Sequence, residues 1–145
     1  MHHDPLPDPA LANQPDAEFG DEVASFHRLL HQAHRRFGEA RIEMGALLEV
    51  IRSKALWRGR ALSFTAYLED ERINETSAYQ YMRVAKRFFY ELRLSQSEID
   101  EISMVGMRLL DQAAKIITKD NKDEIIAMLV CLGERDARAA LAEYA

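Results

Sequence analysis

One cysteine, Cys131, is all the sulfur chemistry that this 145-residue chain could offer beyond methionine. That excludes a disulfide framework and a thiolate zinc site, and it fits a reducing compartment. The four prolines, Pro5, Pro7, Pro9 and Pro15, all lie near the start, so nothing beyond residue 15 carries this helix breaker. No apolar run approaches the ~18 residues that a membrane span needs. The opening Met1-His2-His3-Asp4-Pro5 has no apolar stretch of the signal-peptide kind, so a cytoplasmic location is expected. Also missing are a glycine-rich phosphate loop, a Ser/His/Asp set and a nucleophilic cysteine context. The expectation is therefore a non-enzymatic protein with no cofactor. Since no segment alternates with period two, the fold class expected is all-α.

What is present begins with an uneven distribution of charge. The net charge is −5. Residues 1–26 carry −6, with Asp4, Asp8, Asp16, Glu18, Asp21 and Glu22 and no Lys or Arg. Residues 27–93 carry +5 and residues 94–145 carry −4. A basic island thus lies between acidic flanks, and an anionic partner belongs on that island.

Residues 1–16 lack periodicity, hold all four prolines and read as an acidic, disordered tail. Residues 17–54 read as one long amphipathic helix. Val23, Phe26, Leu30, Ala33, Phe37, Ala40, Met44, Leu47 and Ile51 are spaced alternately by three and four, which draws one apolar stripe along a helix. Some thirty residues at ~1.5 Å each make a rod of roughly 45 Å, more than so short a chain can cover. The stripe is accordingly assigned to dimerisation. The competing arrangement has its later half packed on the chain's own body and only the first half on a partner. Gly38 and Gly45 weaken the helix but allow close approach or a bend.

Residues 55–93 read as a helix-turn-helix unit. A basic connector with Trp57, Arg58 and Arg60 leads to a short helix capped by Ser63. Arg72-Ile73-Asn74 turns the chain, and Asn74 caps a second helix from Glu75 to about Leu92. Its inward face is assigned to Ala78, Tyr81, Met82, Ala85 and Phe89. In such units the second helix enters the major groove and its first turns touch base edges. The outward residues have suitable chemistry. Gln80 can pair bidentately with adenine, Arg83 can do so with guanine, and Thr76 can meet a phosphate or a thymine methyl. Asn74, Glu75 and Tyr79 stand beside them, and Lys86, Arg87, Arg58 and Arg60 can neutralise phosphates on either side.

The runs Arg41-Ile-Glu-Met-Gly-Ala-Leu-Leu-Glu-Val, Phe64-Thr-Ala-Tyr-Leu and Ile73-Asn-Glu-Thr-Ser-Ala-Tyr-Gln-Tyr-Met-Arg-Val-Ala-Lys-Arg-Phe resemble a helix-turn-helix DNA-binding family of bacterial phage, plasmid and conjugative-element proteins. The helix-turn-helix part also resembles plasmid-partition centromere binders. Where that family tends to carry an aromatic-glycine pair at the turn, this chain has Glu71-Arg72. The resemblance runs over about residues 40–142 and implies a dimeric, sequence-specific binder of double-stranded DNA, a transcriptional regulator of a mobile genetic element.

Residues 94–145 read as a small helical lobe of short helices over Glu98–Ser103, Val105–Thr118, Lys122–Leu132 and Asp136–Tyr144, available to a protein partner. His27, His31 and His34 share one side of the long helix, but solvated histidines beside a dimer seam explain them better than a metal site, and no metal is expected. The run Glu69-Asp70-Glu71 reads as a solvated helix end. The alternative function is a helical adaptor that binds another protein through its acidic surfaces.

Overall fold

The structure, a computed structural model, describes residues 20–144, so the acidic tail of residues 1–16 lies outside the described residues. Among the described residues there are seven α-helices and no strand. The first, α1, spans Gly20–Ser53. A 3-10 turn at Leu56–Gly59 leads to α2 (Phe64–Asp70) and α3 (Glu75–Ala85). A π-helical segment, Lys86–Glu91, continues α3 without a break. Then come α4 (Gln96–Ile102), α5 (Met107–Ala114), α6 (Lys122–Cys131) and α7 (Glu134–Ala142).

The expected caps are found. The Ser63 hydroxyl accepts from the Ala66 N–H at 3.0 Å, and Asn74 Oδ1 accepts from the Ser77 N–H at 3.0 Å. Each satisfies a donor that the first helical turn leaves without an intrahelical partner. Ser95, rather than Ser97, caps α4, in a capping box with Glu98. Of the C-terminal helices, α5 is much shorter than its apolar pattern suggests, while α4, α6 and α7 differ from the expected spans by about two residues or fewer at each end. The pattern over Val105–Thr118 includes the turns that flank α5, whose apolar residues are buried although they are not helical, Ile117 among them.

Two apolar clusters share α1 and α3. The larger gathers Ile42, Val84, Phe88, Ile102, Leu110, Ile117, Ile125 and Leu141 with their neighbours. The smaller joins Leu48 to Phe64, Leu68, Ala78 and Met82, with Trp57 and Ile73 packed against it. The C-terminal helices are therefore built onto the same core as α1 and α3. Phe89, expected inside, is about half exposed, while Phe88 is fully buried. Both lie in the π-helical segment, which departs from the α-helical spacing that the expectation assumed; Phe88 enters the larger cluster and Phe89 borders a groove beside α1.

The longest contact in the fold is between α1 and α3. It is made by a face of α1 that its hydrophobic periodicity hides. Gly38, Ile42, Gly45, Ala46 and Leu48 are buried, and two of these are glycines. A Cβ at Gly45 would stand 2.1 Å from the Tyr81 carbonyl oxygen, and one at Gly38 would stand 1.5 Å from that of Ser103. Backbone thus meets backbone at both places, which only glycine permits. At about 100° per residue, the nine-residue stripe is turned by roughly 120° from this face, with Leu48 on the border between the two. Leu30 (61%), Phe37 (58%) and Leu47 (59%) are largely exposed, as are Ala33 and Ala40; Phe26 and Ile51 are half-buried. The later half of α1 does pack on its own body, chiefly through this face, with Ile51 of the stripe also packed against the smaller cluster.

Candidate nucleic-acid interface

The α2–turn–α3 unit is built by local rules. The α2 helix ends in a left-handed residue, Arg72, with φ 59°. The Ile73 N–H donates back to the Leu68 carbonyl at 2.9 Å and the Arg72 N–H donates to that of Glu69 at 3.0 Å. That pair of bonds is a Schellman closure, whose left-handed position is usually glycine. Arg72 therefore takes the conformation for which a helix-turn-helix turn commonly uses glycine, and its side chain is exposed beside the start of α3. Phe64 and Leu68 then bury against Ala78 and Met82, which fixes α3 relative to α2.

The outward residues separate into three groups. Glu75, Thr76 and Lys86 are exposed. Glu75 accepts from the Thr65 hydroxyl at 3.3 Å, a contact between the two helices of the unit. Tyr79 and Gln80 are half-buried, and the Tyr79 ring meets Phe64 edge-on at 6.0 Å. Asn74 spends its side-chain oxygen on the cap. Beside this face, Glu49 and Arg52 of α1 border a shallow notch of about 240 Å³ that Tyr79, Arg83 and Lys86 also line.

The third group holds the two arginines of α3, and both are engaged within the protein. Arg83 Nε donates to Asp111 Oδ1 at 3.0 Å and Nη2 donates to Oδ2 at 2.9 Å. This bidentate fork is the geometry with which an arginine would read guanine, here spent on a carboxylate of α5. The hydrogen bond to Asp111 also holds the Arg83 guanidinium above its ordinary pKa. Arg87 Nε donates to the Ile117 carbonyl at 3.1 Å, Nη2 donates to the same oxygen, and Nη1 meets Glu91 at 2.8 Å. It thereby satisfies a carbonyl just past the end of α5. The other exposed cations of the unit are then Arg58, Arg60, Arg72, Lys86 and Arg93, with Lys54 just before it. Arg58 lies over the Trp57 ring at 5.9 Å. Glu69, Asp70 and Glu71 form an exposed acidic edge on the α2 side of the turn.

Sequence reasoning missed Arg72 and Lys54 as members of the basic surface, and it missed Asp111 altogether. The basic count over residues 27–93 already contained the first two. Nothing local marks Asp111, because it stands 28 residues from the arginine it holds.

The histidines of α1 are exposed, and no group of three or more His, Cys, Asp or Glu that could hold a metal occurs among the described residues. No helix among them is long and apolar enough to cross a membrane. The chain matches no protein-family model, no curated protein and no solved structure.

Proposed function

We propose that the chain is a sequence-specific, dimeric DNA-binding protein that regulates transcription on a bacterial mobile element, as its resemblance at the sequence level implies. One observation carries the reading. The α2–turn–α3 unit presents the first turn of α3 to solvent, with Thr76 and Gln80 on its outer side and exposed Arg58, Arg60, Arg72 and Lys86 around it. A helix N-terminus flanked by cations suits a major groove edged by phosphates. In this reading Thr76, Gln80 and Tyr79 approach base edges, and Lys86 with the arginines of the connector and turn neutralise phosphates. Arg83 and Arg87 set the tilt of α3 from within. The apolar stripe of α1 joins two copies, so that two such units act on one site.

The test is genome-wide recovery of DNA bound to the tagged protein, run beside Gln80→Ala and Lys86→Glu. A few sharp sites, changed in preference by the first variant and weakened uniformly by the second, are the expected result. Equal recovery from all three proteins would defeat the assignment of α3 as the reading helix.

A second reading has its own observation. Between α5 and α6 lies an apolar groove of about 430 Å³, lined by Met104, Leu109, Leu129 and Leu132 with Glu101 and Glu134 at its edge. An acid-rimmed apolar groove suits an amphipathic basic helix of another protein. Absence of any DNA enrichment, together with a protein retained by the wild type and released by Glu101→Lys, would favour this adaptor role.

A further inference from the structure

Resting on the dimer reading above, we infer that α1 pairs with α1 of a second copy in antiparallel orientation, with Phe37 of each copy set against Ala40 of the other. Three features of the helix point the same way.

The first is support. Among the described side chains of residues 21–37 none is buried, and only toward the end of this stretch does Arg35 act on Asp100 of α4. An isolated helix of that length, about 17 residues, is marginal in water. Residues 38–52, in contrast, are held from behind by α3 and by the segment around Ser103. Parallel pairing would set two unsupported halves against each other. Antiparallel pairing lays each unsupported half along the supported half of the other copy.

The second is volume. In register, parallel pairing stacks Ala33 on Ala33 and Ala40 on Ala40, two layers with little side chain to fill them. The antiparallel register centred between Gly38 and Glu39 sets Phe37 on Ala40, Met44 on Ala33, Leu30 on Leu47 and Phe26 on Ile51. Every alanine then meets a large residue, the large-on-small arrangement that fills a helix seam.

The third is charge. On the flank bordered by Glu43 the same register brings Arg36 of one copy to Glu43 of the other, twice by symmetry, and Leu29 to Val50. Parallel pairing would instead bring Arg36 to Arg41 on both flanks. The opposite flank of the antiparallel pair, His34 with Arg41 and His27 with Leu48, adds nothing. Next to Glu43 lies a groove of about 500 Å³, whose walls include Glu39, Glu43, Leu47, Phe89 and Tyr90. It adjoins the seam where Arg36 of the second copy arrives.

Spin-label distances test this in the full chain. Cys131, the only cysteine, is first replaced by Ser so that labels go only where intended. With Ser25→Cys in both copies, antiparallel pairing gives a separation of roughly 40 Å, at ~1.5 Å per residue from the dyad, and parallel pairing gives less than about 20 Å. Mixing Ser25→Cys protein with Ser53→Cys protein reverses the expectation, because residues 25 and 53 become near neighbours only across an antiparallel seam. A long Ser25–Ser25 distance with a short Ser25–Ser53 distance is the expected result. A short Ser25–Ser25 distance would overturn the orientation and leave the dimer standing. A monomer by sedimentation at every concentration would overturn the dimer itself, and this proposal with it.

Discussion

Replacing Gly45 with alanine should destabilise the protein, although the same change in an ordinary helix stabilises it. Alanine is better than glycine by ~1 kcal/mol in a helix interior, chiefly through backbone entropy. At Gly45 the new methyl would lie 2.1 Å from the Tyr81 carbonyl oxygen and 2.5 Å from its carbon, where real Cβ contacts essentially never fall under 3.0 Å. Main chain stands on both sides of the clash, so no side-chain rotation relieves it, and α1 and α3 must separate by about 0.9 Å. Overpacking of this kind costs about 1–3 kcal/mol, more where backbone must yield, and both clusters loosen when the two helices part. We expect a net loss of about 1–2 kcal/mol, which for a domain of this size lowers Tm by roughly 4–8 °C. The assay is thermal and urea unfolding of the parent, Gly45→Ala and Gly59→Ala. At Gly59 a Cβ meets nothing within 4 Å, so that variant should match or slightly exceed the parent. Gly38→Ala, where the contact is 1.5 Å, should be worse than Gly45→Ala. A Gly45→Ala protein as stable as the parent would show that α1 and α3 do not cross as closely as described.

Arg72→Gly should raise stability by about 1 kcal/mol, because a left-handed conformation is strained for any residue with a Cβ; a lower Tm in the variant would count against φ 59° at this position. Arg83→Ala should cost about 0.5–1 kcal/mol, discounted because the Arg83 side chain is more than half exposed while that of Asp111 is 14% exposed. Adding Asp111→Asn to it should cost little more, and strictly additive losses in a double-mutant cycle would deny the pair. The Glu98 carboxylate is held below the ordinary glutamate pKa by the Ser95 N–H and then by Lys122, 3.2 Å away. A depressed folded pKa gives stability that is complete above about pH 4.3 and is lost as the pH falls through the lower folded value. The Tm gap between parent and Glu98→Gln should therefore be full at pH 7 and close at lower pH than 4; a gap constant down to pH 3 would refute this role.

Much of the architecture could be read from the chain because it is written in local signals. Ser63, Asn74 and Ser95 mark helix starts through side-chain oxygens that reach a donor three residues on. The spacing from Val23 to Ile51 marks one long helix, and the polar first turn of α3 marks a solvent face. What stayed hidden depends on partners far away in sequence. The packing face of α1 is made partly of Gly38, Gly45 and Ala46, which add almost nothing to a hydrophobic pattern, so the stripe drew the eye to another side. Arg83 and Arg87 looked like free cations because Asp111 and Ile117 lie 28 and 30 residues away. Phe88 and Phe89 are neighbours of the same type, and the π-helical turn that carries them, unmarked in the sequence, decides which of them is covered.

The α3 helix has almost no idle surface. Its Ala78 and Met82 belong to the smaller cluster, Val84 and the following Phe88 to the larger, its Arg83 is tied to α5, and what remains faces outward. A mutation that drifts neutrally on most surface helices is here a change to one of three jobs at once. If α3 reads DNA as proposed, a new specificity must therefore evolve through very few positions, Glu75, Thr76, Gln80 and the adjoining Lys86 foremost. Conversely, a substitution where α3 packs on α5 alters the pitch at which those positions are offered, so that core and surface of this protein are inherited as a single character.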